Sequence, residues 1–111
     1  MDNLEKALSF ANYQTTLAQQ KKIIKQRFDD ACIFPWNGGL FQITLEFLGG
    51  VKTVENIAVW LIDINGNPIW IPDVEFFYQS AYKQYADAAT TYGTSYEELK
   101  KQRSVNRLVG I

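Results

Sequence analysis

The sequence predicts a single α+β domain over residues 1–111, with two long antiparallel helices packed on two β-hairpins and a short connecting helix. Three observations predict it. Apolar residues recur at helical spacing over 2–28 and again over 73–104. Two Asn-Gly pairs stand between runs of β-formers, the strongest short-range hairpin signal. With 111 residues, 47% of them hydrophobic and 21% charged, the chain has a globular composition and room for one core.

The first helix is expected over residues 2–28. Asp2 and Glu5 stand at capping-box spacing, and Ala7, Phe10, Tyr13, Leu17, Gln20, Ile24 and Phe28 form a seam stepping by three or four. No Gly or Pro interrupts it, so its length should be about 40 Å. Gln20 is the polar break in that seam, read as tolerated or bonded to a partner.

Residues 31–45 should form the first hairpin. Cys32-Ile33-Phe34 leads through Pro35 and Trp36 to the Asn37-Gly38-Gly39 turn, then Leu40 to Leu45. A type I′ turn needs positive φ at both central residues, which Asn-Gly supplies; the second Gly also allows a three-residue loop. Pro35 has no N–H to give a ladder and argues for an edge strand.

Thr44 caps a short helix in the 44–55 segment, with Leu45, Leu48, Val51 and Val54 at helical spacing. Gly49 and Gly50 weaken it by about 1 kcal/mol each, and a strand bent at the Gly-Gly pair is the rival reading.

Residues 57–71 carry the clearest hairpin. Ile57 to Ile62 is a continuous β-former run, Asn65-Gly66 is the turn pair, and Pro68 to Ile71 returns. A two-residue turn would pair Ile62 with Ile69 and Leu61 with Trp70. One face would then hold Trp60, Ile62, Ile69 and Ile71, and the other Val59, Leu61 and Trp70. Both faces are apolar, so the sheet is covered on both sides or one face meets a partner.

The last helix is expected from Asp73, its N-cap, to about residue 104, with Glu75 in the first turn. Val74, Phe77, Ala81, Tyr85, Ala88, Tyr92, Ser95 and Leu99 make its seam, across which Gly93 keeps register. Ser104 to Ile111 reads as a short tail. In an antiparallel pair, Lys21, Lys22, Lys25 and Arg27 would face Asp73 and Glu75. Lys100, Lys101 and Arg103 would approach Asp2 and Glu5, and each basic cluster would sit at a helix C-terminus.

Composition argues against several function classes. There is no histidine, which removes the commonest general acid/base and metal ligand, and one cysteine makes no thiolate metal cluster. Cys32 lies in an apolar run without an activating base and reads as an inert buried thiol. Asp63 fits a turn role, Asp29-Asp30 a solvated helix exit, and Gly49-Gly50 lacks phosphate-loop spacing. The expectation is therefore no catalytic residues, no metal and no cofactor. No apolar run nears the roughly 18–20 residues needed to span a bilayer, and the acidic start lacks a secretory pattern. The location expected is cytoplasmic, in a host cell or in a particle assembled there, and the protein should be no enzyme.

Two surfaces remain as candidate sites. Tyr78, Tyr82, Tyr85, Tyr92 and Tyr96 form a second stripe beside the seam of the last helix, and Phe76 adds to that helix. Tyrosine is amphipathic and enriched at protein interfaces, so this face is expected to dock a protein partner or a second copy, giving a homo-oligomer. The alternative is nucleic acid. Lys21, Lys22, Lys25, Arg27, Lys100, Lys101, Arg103 and Arg107 supply eight of the eleven basic residues, and nearby tyrosines offer stacking faces. The net charge of −1 weighs against it.

Ala7-Leu8-Ser9-Phe10-Ala11-Asn12-Tyr13, the Asn37-Gly38-Gly39 turn, the Asp63 to Pro68 turn and Arg103-Ser104-Val105-Asn106-Arg107 span nearly the whole chain. In these segments and in overall layout the sequence resembles small uncharacterised proteins of tailed marine phages, chiefly myoviruses of cyanobacteria. That resemblance implies a phage-encoded virion or assembly accessory and brings no catalytic residues.

Overall fold

The computed structural model describes residues 2–108, apart from the side chains at 10, 12, 15 and 104–108. It is α+β, with two small antiparallel two-stranded sheets. The order is α1 (Asn3–Ala31), β1 (Ile33–Trp36), β2 (Gly39–Gln42), α2 (Leu45–Lys52), β3 (Val59–Ile62), β4 (Pro68–Ile71) and α3 (Val74–Leu108). The molecule measures 67 × 24 × 20 Å. Its radius of gyration, 20.4 Å, well exceeds the ~13 Å of a compact chain of this length. The cause is a compact β head from which α1 and α3 project side by side as an arm.

Helix starts follow their caps. The Asp2 carboxylate accepts the Glu5 amide at 2.8 Å, Thr44 Oγ1 accepts that of Phe47 at 3.0 Å, and Asp73 accepts that of Phe76 at 3.0 Å. α2 survives Gly49 and Gly50 because both are exposed, while Leu48 and Val51 face the core. Leu45 does not join them. It is exposed, and Phe47 takes its place against Phe41 and Phe77. α3 runs on through Leu108, so most of the expected tail is helix; residues 109–111 lie outside the described range.

The first turn is the two-residue form. Trp36 pairs with Gly39, and Asn37 and Gly38 have φ of 48° and 82°. The second hairpin corrects the expected register by one residue. Trp60 pairs with Trp70, Leu61 with Ile69 and Ile62 with Pro68. Asp63 is the cause. Its N–H donates to Asn67 O at 2.9 Å, its C=O accepts from Gly66 at 3.0 Å, and Gly66 has φ of 80°. That is a three-residue loop closed by a left-handed glycine, not a two-residue turn. A one-residue slip exchanges faces. Trp60, Ile62, Pro68 and Trp70 now share one side, and Val59, Leu61, Ile69 and Ile71 share the other.

The core sits where the inner hairpin faces meet the first turns of α3. Phe77 is its centre: fully buried, it has Phe34, Trp36, Phe41 and Phe47 within 5.3–6.1 Å between ring centroids. Cys32, Ile43, Leu48, Val51, Ile71, Val74, Ala81 and, toward the arm, Ala88 belong to the same cluster. The arm is thinner. Phe28 contacts Tyr85 and Tyr92 at 5.8 and 5.0 Å, and Arg103 lies over Tyr13 at 4.8 Å, so the helices run antiparallel. Within the arm Ala88 and Leu99 are buried, whereas Tyr13, Leu17, Ile24 and Phe28 are only half-buried. Ala7, placed in the seam by its spacing, is exposed.

The expected interhelical charge matching does not form. Residue 28 of α1 already lies opposite 85–92, so the first turns of α3, with Asp73 and Glu75, pack on the hairpins. α1 also continues to Ala31, which leaves Lys21–Arg27 short of its last turn and puts Asp29 and Asp30 there. Lys25 pairs with Asp29 at 2.6 Å and Gln26 donates to Asp30 at 2.9 Å.

Candidate interaction surfaces

Asp63 holds the two hairpins together. Its carboxylate accepts the amides of Leu40 (3.1 Å), Asn65 (3.0 Å) and Asn67 (2.9 Å). Ile64 N–H donates to Leu40 O at 2.8 Å, and Asn37 Nδ2 to Trp70 O at 3.3 Å. The amides of Asn67 and Leu40, with a smaller effect from Asn65, hold this carboxyl below the usual carboxylate range against the opposing effect of burial. These bonds engage both oxygens of the carboxylate. It has a structural task, as its turn position suggested.

The locked hairpins present an apolar outer surface. Trp60, Ile62 and Trp70 expose 60%, 63% and 43% of their surface, and Ile57, Ile64 and Leu40 of the two hairpin segments are exposed as well. Trp60 and Trp70 face each other across the strands with ring centroids 5.2 Å apart. From Asn56 to Pro72 the one ionisable residue is Asp63, which is buried. Charge-free, aromatic-rich surface of this kind is characteristic of interface cores. Its signal in the sequence was the apolar character of both strand faces; the slipped register hid which residues share the outer one.

The tyrosine stripe divides. Tyr85 and Tyr92 pack on Phe28 and belong to the helix seam. Tyr78 leans on the core, with Lys52 Nζ 5.0 Å from its ring centroid. Tyr82, stacked on Tyr78 at 6.1 Å, and Tyr96 remain exposed. Phe76 is exposed on a different side of α3, beside Trp36 at 5.4 Å. The six residues therefore form no continuous face.

The basic clusters converge on the arm. Lys21 and Lys100 both lie over the Tyr96 ring, at 5.9 and 5.7 Å, and Arg103 covers Tyr13. Tyr13, Leu17, Lys21, Tyr96, Leu99, Lys100 and Arg103 line a shallow groove of about 230 Å³. Arg103 Nη2 also donates to Gln20 Oε1 at 2.6 Å, so the polar break in the α1 seam has a partner on α3. Lys22, Arg27 and Lys101 are exposed, Lys25 is engaged by Asp29, and the Arg107 side chain lies outside the described ones.

Gln84 and Gln42 are positioning residues that periodicity did not single out. Gln84 Nε2 donates to Ala31 O at 2.9 Å and to Ile33 O at 2.8 Å, and Gln42 Nε2 donates to Asp29 O at 3.0 Å. Together they satisfy carbonyls at the end of α1, where no basic residue stands. Cys32, at the start of the head, is buried and its thiol is pushed up by desolvation. Among the described residues no cluster of three or more His, Cys, Asp or Glu is placed to hold a metal, and no helix is long and apolar enough to cross a membrane. No protein-family model, curated protein or solved structure matches the chain.

Proposed function

We propose that this chain is a non-enzymatic structural or protein-interaction protein that self-associates through its β head and holds the helical arm clear of the contact. The observation that carries this reading is the exposed, charge-free face of Trp60, Ile62, Pro68 and Trp70. Burying such a face releases apolar surface from water at about 25 cal/mol per Å². The resemblance to marine-phage proteins extends the reading to a virion or assembly accessory acting in the host cytoplasm. Sedimentation velocity over a dilution series tests it: a dimer or higher species that dissociates on dilution is expected, and a strict monomer at every concentration overturns it.

The convergence of Lys21, Lys100 and Arg103 around Tyr13 and Tyr96 favours one second reading, a nucleic-acid-binding accessory. Phosphate contacts weaken steeply with salt. That reading requires a gel shift with single- or double-stranded DNA or RNA that fades as salt rises and is lost in Lys100→Glu/Arg103→Glu.

A further inference from the structure

A two-stranded sheet has two edges, so the two hairpins present four rows of outward-facing backbone groups. Antiparallel pairing alternates bonded and non-bonded pairs, and the residues of non-bonded pairs point their N–H and C=O away from the partner strand. Both turns fix this alternation. In the first hairpin Pro35, Leu40, Ile33 and Gln42 point outward. In the second, where Asp63 and Asn67 are bonded across the loop, Trp60, Ile62, Pro68 and Trp70 do.

Three of the four edges are blunted within the chain. On β1, Pro35 has no N–H and Ile33 O is taken by Gln84. On β2, Leu40 N–H is taken by Asp63 and Leu40 O by Ile64. On β4, Pro68 has no N–H and Trp70 O is taken by Asn37. β3 differs. Among the described residues nothing bonds the outward N–H and C=O of Trp60 or Ile62. Val59-Trp60-Leu61-Ile62 is short, at four residues, but it carries no Lys, no Pro and no bulge to keep its edge from pairing.

We infer that β3 is the contact between two copies of this chain, pairing antiparallel about a two-fold axis at Leu61 to form a four-stranded sheet, β4-β3-β3-β4. This inference rests on the self-association proposed above and names its partner and geometry. Trp60 of each copy lies opposite Ile62 of the other, and all four outward groups per copy are satisfied. Trp60 and Ile62 are on the same face, so each Trp ring meets the facing Ile, and the tryptophan faces of the two copies become continuous.

A second copy fits better than an unrelated strand for two reasons. The arrangement is self-complementary, since one register uses every free group of both edges. Asn56–Pro72 also has no exposed charge, so identical surfaces meet without like-charge repulsion. At about one hydrogen bond per 100–200 Å² of interface, four backbone bonds correspond to a buried area of roughly 400–800 Å², below the standard size and in the range of weak, transient contacts. The dimer is therefore expected to exchange with monomer on dilution.

The test uses the full chain in sedimentation velocity over a dilution series, together with residue-resolved amide exchange. In the dimer, exchange at Trp60 and Ile62 should slow relative to dilute monomer. Ile62→Lys places a charge on the edge, and Ile62→Pro removes an N–H that has no partner within the chain. Each should weaken dimerisation at least tenfold, with the far-UV spectrum of the monomer unchanged. Association of both variants as strong as that of the wild type overturns pairing through β3 and leaves the broader self-association reading standing. A wild-type chain monomeric at every concentration overturns both. A monomer whose tryptophan emission shifts to the blue on phosphatidylcholine vesicles, and does not in Ile62→Lys, overturns the second copy in favour of a lipid surface.

Discussion

The carboxylate of Asp63 accepts the backbone amide of Leu40 at 3.1 Å, so the loop of one hairpin is bonded to the strand edge of the other. The two small sheets share no strand-to-strand ladder, and this carboxylate does much of what a ladder would do. Its folded-state pKa is lowered. The stability it contributes is fully present above the ordinary carboxylate range and is lost as pH falls through the lowered folded value. Acid unfolding followed by circular dichroism should show this loss below about pH 4. Asp63→Asn, which turns an amide donor toward the N–H of either Leu40 or the loop, should lower the neutral-pH Tm and flatten that acid limb.

Phe77 gathers four aromatic rings around one fully buried side chain. Phe77→Ala should destabilise the chain by about 3–5 kcal/mol, the range for emptying a packed aromatic site. Urea unfolding measures it. Phe76→Ala, one residue away but exposed, should cost less than about 1 kcal/mol.

Gln84 bonds the last carbonyl of α1 and the first of β1 from a single amide. Gln84→Ala should cost about 1–2 kcal/mol, because acceptors in a partly buried site lose their donor. Gln84→Glu should cost more, since it sets a carboxylate against two carbonyl oxygens. Amide exchange near the C-terminus of α1 should accelerate in both variants.

Gly39 lies where the first hairpin crosses the second. A Cβ there would stand 2.6 Å from Ile69 Cγ1 and 2.9 Å from its Cδ1. Gly39→Ala should therefore destabilise by about 1–3 kcal/mol, as expected for overpacking. Ile69→Val, which removes the Cδ1 methyl, should recover part of that loss in the double variant, measured in a double-mutant cycle.

Local signals made most of the elements legible. Asp2, Thr44 and Asp73 each cap the helix they were expected to cap, and Asn37-Gly38 forms the expected turn. The register of the second hairpin was not legible from Asn65-Gly66 alone, because Asp63 bonds across the loop and enlarges it by one residue. That residue decides which side chains share the outer face, so the Trp60–Trp70 pairing was hidden with it. The charge matching failed for a related reason. Helical spacing identifies a seam but does not set how far two rods slide along each other, and here the hairpins occupy the first turns of α3. The tyrosine stripe was legible as a stripe, but Phe28 takes Tyr85 and Tyr92 from it.

The 67 Å length of the molecule has a further consequence. Charges communicate over about 8 Å at physiological ionic strength, and the far end of the arm lies many such lengths from Asp63. Substitutions around Tyr13 and Arg103 are thus electrically silent at the head, and each end can change without retuning the other. In a pair joined at the heads, the rods would act as rulers, fixing the spacing between whatever their tips carry.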